Sequence, residues 1–146
     1  MMCRRYALFF LLLSIAPCDA DDEKKPAAPL DLLKGKWILV STEEGGKAKN
    51  YTDRSIVFDG NEYRWYYKDL LVKQAIVTVN LKVKPPTMDL FHRMGPAKGK
   101  TALCIFKLEK DTLTIADGSF DLGRPSEFDS GKPPCFSVTL WKRQKE

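Results

Sequence analysis

From residue 36 to residue 143 the chain is a succession of short stretches in which apolar and polar side chains alternate, each ended by turn-forming residues. A period of two sends neighbouring side chains to opposite faces, so each stretch suits a β-strand with one buried face. The pattern predicts eight strands, at residues 36–42, 55–58, 62–68, 75–83, 87–93, 101–109, 112–116 and 136–143. Asp59-Gly60 signals a tight hairpin between the second and third, Lys110-Asp111 turns the sixth into the seventh, and Pro85-Pro86 ends the fourth. In the third strand Tyr63, Trp65 and Tyr67 share one face, and Arg64 and Tyr66 the other. The fourth alternates Val77, Val79, Leu81 and Val83 with Ile76, Thr78, Asn80 and Lys82, and the last alternates through Phe136, Val138 and Leu140. Leu32 and Leu33 form a short helical turn ahead of the first strand, with Asp31 as its cap. Short, regularly spaced strands favour a barrel or a sandwich. Eight strands can close around an interior that is filled by side chains or holds one small ligand.

The N-terminal segment does not belong to that pattern. Arg4 and Arg5 give it a basic start, residues 6–16 form an apolar run too short to span a bilayer, and Cys18-Asp19-Ala20 carries small residues at the positions a signal peptidase reads. Residues 1–20 are therefore expected to be an export signal, 21–29 a charged, Ala- and Pro-rich linker, and 30–146 a single domain. Ile15-Ala16-Pro17-Cys18 also resembles a bacterial lipoprotein box, the alternative being a chain anchored through a lipidated Cys18. The expected location is secreted or periplasmic, with no transmembrane segment after processing.

The formal net charge is +5, and it falls by one when residues 1–20, with Arg4, Arg5 and Asp19, are removed. The basic residues are dispersed, which reads as a solvated surface and not as a nucleic-acid footprint. Cys104 and Cys135 remain after processing, and an even pair in an oxidising compartment admits a disulfide. In a meander, however, they lie two strands apart, about 9.5 Å, beyond the roughly 7 Å that a bridge spans. Two half-buried thiols are the other reading.

Other short strings carry a resemblance. Gly35-Lys36-Trp37, at the head of the first strand, looks like the lipocalin signature, in which the Trp plugs one end of the barrel and the Gly lets the backbone pass beneath it. Gly95-Pro96-Ala97-Lys98-Gly99-Lys100-Thr101, then residues 105–113, Arg124-Pro125-Ser126-Glu127-Phe128 and Leu140-Trp141-Lys142-Arg143 follow in order. Together they resemble the small exported family catalogued as the planctomycete uncharacterised domain, similar in build to lipocalin-like domains. The resemblance covers residue 30 to the C-terminus and implies a fold: all-β, an eight-stranded antiparallel up-and-down lipocalin-like barrel, closed or incompletely closed, with a short N-terminal helical turn. It implies no particular activity. Residues 69–74 depart from the family's turn pattern and leave the pairing of the third and fourth strands open. In lipocalin-like barrels a basic side chain of the last strand lies over the signature Trp, a part that falls to Arg143 or Lys142 opposite Trp37.

The residues that could carry chemistry are few. Gly95 to Thr101 reads G-x-x-x-G-K-T, one residue short of a phosphate loop, and runs into a strand where that loop needs a helix, so it is a basic β-turn. His92 is the single histidine and shares a face with Met88 and Leu90, which directs it to a barrel mouth; a solvated or satisfied imidazole is the plainer reading. His92, Cys104 and Cys135 lack metal-ligand spacing, and no serine sits in a nucleophile elbow. No metal and no cofactor are expected. Tyr63, Trp65 and Tyr67 are either core or an aromatic wall for a ligand.

These readings converge on an exported, non-enzymatic binding module for a small apolar or amphipathic ligand, with Tyr63, Trp65, Tyr67 and His92 as ligand contacts and Trp37 and Arg143 as structural residues. The alternatives are an envelope-structural or protein-interaction domain with a filled barrel and, third, a hydrolase. Export has a direct expected outcome: N-terminal sequencing and mass spectrometry of the processed protein should give Asp21, or Cys18 carrying lipid. An intact Met1 on protein recovered outside the cytoplasm contradicts both.

Overall fold

A computed structural model describes residues 29–145. The expected export signal, Cys18 and residues 21–28 of the linker lie outside the described residues, while Pro29 opens a 3-10 turn, Pro29–Leu32. Nine strands follow: β1 Gly35–Glu44, β2 Lys47–Lys49, β3 Arg54–Asp59, β4 Glu62–Tyr67, β5 Leu70–Asn80, β6 Thr87–Met94, β7 Thr101–Glu109, β8 Thr112–Gly118 and β9 Cys135–Arg143. Every pairing is antiparallel, and β1 pairs with both β3 and β9, so eight strands close into an up-and-down, lipocalin-like barrel. The short β2 is an addition, paired on the far end of β1 outside the closed ring.

One barrel end is sealed. Trp37 is fully buried there, and its Nε1 donates to Leu33 O at 2.8 Å. Gly35 has φ +120°, a conformation open to glycine, and a Cβ at that position would approach Arg143 Nη1 to 3.6 Å. Arg143 lies over the Trp37 ring, its guanidinium carbon 4.2 Å from the centroid, and donates to Lys34 O and Leu32 O. Above this plug Leu33, Ile56, Phe58, Met88, Phe106 and Leu113 fill the lower barrel.

The third and fourth expected strands are joined by a two-residue turn at Lys68 and Asp69, where Lys68 adopts φ 52°. Residues 70–74 continue the strand, which begins five residues earlier than its alternating Val run suggests. It ends at Asn80, so Leu81 and Val83 lie beyond it and are exposed. In β9 the inward set is Ser137, Thr139 and Trp141, the phase opposite to Phe136, Val138 and Leu140. A bulge on β9, opposite Asp117 and Gly118 of β8, leaves Phe136 unpaired at the barrel mouth and turns Cys135 to the outer face. Val138 instead joins Phe128 over Ile105, Ala116 and Cys135, a small outer cluster beneath the β8–β9 loop. Arg124 fastens that loop by donating to Cys104 O at 2.7 Å and Asp89 Oδ1 at 2.6 Å.

Cys104 and Cys135 are free thiols, and both are buried where half-burial was expected. Cys104 points into the barrel from β7 and Cys135 belongs to the outer cluster, with β8 between their strands.

Because Trp37 fills the sealed end, Trp37→Ala should destabilise by about 3–5 kcal/mol, the range for emptying a large buried aromatic site, out of a total of about 5–15 kcal/mol. Denaturant unfolding followed by circular dichroism measures this; a change below about 1 kcal/mol would mean that Trp37 does not close the barrel.

Candidate functional site

The end opposite Trp37 stays open, and a two-lobed cleft enters the barrel there. The outer lobe, about 390 Å³, lies between the β6–β7 turn and the start of the β8–β9 loop, with Pro96, Ala97, Lys100, Ser119, Phe120 and Asp121 at its rim. The inner lobe, about 150 Å³, reaches down between β1, β3, β4 and β9 to Leu39, Thr42, Arg54, Trp65, Thr139 and Trp141. Tyr63, Lys73, Leu90, Asp117 and Phe136 line both lobes.

Backbone irregularities aim several of these side chains. A bulge between Leu39 and Ser41 of β1 shifts the phase by one, so Thr42 and Glu44, and not Ser41, turn inward. On β3, Arg54 continues the inward phase of Ile56 and Phe58. On β5, Lys73 continues that of Ala75 and Val77, and on β8 Asp117 continues that of Leu113 and Ile115. The lower barrel is thus apolar on every strand, and charge enters at the mouth end of the same alternating faces.

Of the expected ligand contacts, Tyr63, Trp65 and His92 face the cleft. Tyr67 does not: it is the last residue of β4, beside the turn at Lys68, 43% exposed above the rim, and lines neither lobe. Arg64, on the outward phase, pairs with Asp59 at 3.3 Å and Glu62 at 2.9 Å.

The electrostatics of the cleft are set by burial. Burial pushes the Asp117 carboxyl above its usual value, against the opposing pull of the Cys104 thiol, 3.5 Å from Oδ1, and of the Lys73 charge. The Cys104 thiol and the Tyr63 phenol are raised well above their ordinary values, first by burial and then by the Asp117 charge. Both are held protonated, so the thiol is a weak donor and not an activated nucleophile. His92 is lowered, by burial and then by Lys73, which favours the neutral imidazole. Its ring meets Phe120 edge-on, centroids 5.8 Å apart. Arg54 stacks on Tyr51 at 3.7 Å, with Trp65 at 5.4 Å, and Lys73 Nζ lies 5.2 Å from the same Trp65 ring.

Three buried side-chain atoms among the described residues have no hydrogen-bond partner: Thr42 Oγ1, Arg54 Nε and His92 Nδ1. All three belong to residues of this cleft. Among the described residues no three His, Cys, Asp or Glu side chains converge on a point where a metal could sit, and no helix is long and apolar enough to cross a membrane. Compared with known proteins, the chain matches no family, no curated protein and no solved structure.

Asp117 gives the site a pH signature. Its folded pKa lies above the unfolded value, so the folded protein binds the proton more readily. Stability is then lost as pH rises through the interval between those two values and stays level above it. Asp117→Asn keeps Oδ1 for Cys104 but never ionises. It should unfold at a higher temperature than wild type at pH 7, with the difference vanishing as pH falls below about 4. Thermal scans across that range check this, and a variant less stable at neutral pH would show that the charge supports the fold.

Proposed function

We propose that the chain is an exported, non-enzymatic binding module that takes a small amphipathic molecule into the open end of its barrel. The observation that carries this reading is that the three buried, unpartnered polar atoms all belong to residues lining one cleft. Each buried polar atom without a partner costs roughly 1–3 kcal/mol, and such groups cluster where something other than the fold satisfies them. The cleft joins those groups to an apolar wall of Leu90, Phe120 and Phe136, the combination that small-molecule sites share. The neutral thiol and phenol support binding over chemistry. The basic, apolar and small-residue succession at residues 1–20 supports export, and the motifs from Gly35 to Arg143 support membership of the planctomycete family named above.

A neutral, polarity-sensitive fluorophore such as N-phenyl-1-naphthylamine tests the reading. It should bind the folded protein saturably and quench tryptophan emission. Trp65→Ala should weaken that binding about tenfold, a loss of ~1.4 kcal/mol, while Arg64→Ala on the outward face should leave it unchanged. A folded wild type that takes up no probe would favour a protein-interaction or structural role for the barrel.

A further inference from the structure

The half-buried arginines among the described residues fall into two groups. Arg64, Arg124 and Arg143 are half-buried, and each holds a carboxylate within salt-bridge distance: Glu62 and Asp59, Asp89, and Asp111 respectively. Arg54 is equally half-buried, yet among the described residues it forms no ion pair, and its Nε is buried without an acceptor. Its contacts are the faces of Tyr51 and Trp65. Lys73, also half-buried and without an ion pair among the described residues, lies near the same Trp65 ring. Two like charges beside one indole, both half-buried, repel each other, and an anion between them relieves that repulsion.

The acids that line the same lobe, Glu44 and Asp117, form no ion pair with either cation among the described residues. Glu44 Oε2 accepts from the Tyr51 hydroxyl at 3.2 Å, which fixes the ring on which Arg54 stacks. Asp117 lies against Cys104, and burial disfavours its charged form. Thr42 Oγ1, on the same lobe, has a free hydroxyl. Flat aromatic support behind a guanidinium leaves its N–H edge directed outward, the arrangement that receives a carboxylate through paired hydrogen bonds.

We propose that the inner lobe is an anion receptor, in which Arg54, Lys73 and Thr42 hold the carboxylate of an amphipathic monoacid whose apolar body lies in the outer lobe against Leu90, Phe120 and Phe136. The lobe's size and its acidic neighbours set the class. About 150 Å³ accommodates a compact head group, and a dianion such as a phosphate monoester would meet Glu44 and Asp117 at the same lobe. The inference rests on the binding reading above and adds the charge of the ligand to it.

A matched set of ligands separates the two claims. Titration calorimetry compares octanoate, octan-1-ol and octylammonium at neutral pH, where the carboxylic acid is ionised, with displacement of the neutral fluorophore locating each in the cleft. Octanoate should bind at least about tenfold more tightly than octan-1-ol, and octylammonium most weakly. Lys73→Met, which keeps the stem and removes the charge, should bring octanoate and octan-1-ol to parity while octan-1-ol binding persists. Arg54→Gln should do the same, and the wild-type ratio stands without either variant if one of them fails to fold. Equal affinity for acid and alcohol, or preference for the ammonium, overturns the anion receptor and leaves the binding module intact. Failure of the fluorophore and all three ligands overturns both.

Discussion

The seal made by Trp37 and Arg143 is the contact on which the rest of the barrel depends. The two residues face each other in the β1–β9 register, so the contact that plugs the barrel also joins its first and last strands. Arg143 then reaches the backbone of residues 32 and 34 and the Asp111 carboxylate, which adds the N-terminal turn and the β7–β8 turn to the same knot. A guanidinium over an indole is worth about 1 kcal/mol or more where water is excluded. Most of the stabilisation comes from burying the indole itself and closing the ladder. With closure secured at one end, no strand needs a complete core at the other.

The inside of the barrel is graded along its axis. Nearer the plug the inward faces of β3, β5, β6 and β8 carry Ile56, Ala75, Leu90 and Ile115; two residues nearer the mouth, the same faces carry Arg54, Lys73, His92 and Asp117. Bulges sharpen the gradient, turning Thr42 inward on β1 and bringing Phe136 to the mouth on β9. Arg54, Lys73, Asp117 and His92 all stand on paired strands, and Arg124 fastens the β8–β9 loop beside them.

The sequence made the barrel legible because alternation and turn signals are local. Asp59-Gly60 and Lys110-Asp111 mark hairpins by composition alone, and Gly35-x-Trp37 marks the sealed end. The site was legible only where it used residues already conspicuous as aromatic or as the single histidine: Tyr63, Trp65 and His92. Arg54, Lys73 and Asp117 escaped for one shared reason. An apolar run announces a strand, and each of these residues sits just past the end of such a run, where a charge reads as the start of a turn. Carrying the inward phase one or two positions beyond the last apolar residue reaches all three. Thr42 was beyond that remedy, because a bulge inverts the alternation on β1 and nothing in the local composition announces it; on β9 the inward phase runs through Ser137 and Thr139, whose polar side chains conceal it. Tyr67 failed in the opposite direction, as alternation continued into the rim where no cavity remains.

Placing charge on an inward phase of a barrel is a choice against stability. A Leu or Val at positions 54, 73 or 117 would extend the core and remove the burial cost that raises the Asp117 carboxyl and leaves Arg54 Nε without an acceptor. Solvent exposure does not explain the charges either, since the outward face of the barrel supplies it, and there Arg64 on β4 finds two carboxylates. Half-buried charge without a partner, confined to one end of an otherwise well-packed barrel, is the pattern expected where local stability has been given up for recognition. The sealed end shows what this chain does with an arginine whose work is structural: it is stacked, hydrogen-bonded and ion-paired at once. Arg54, in the cleft lining, has the stacking alone.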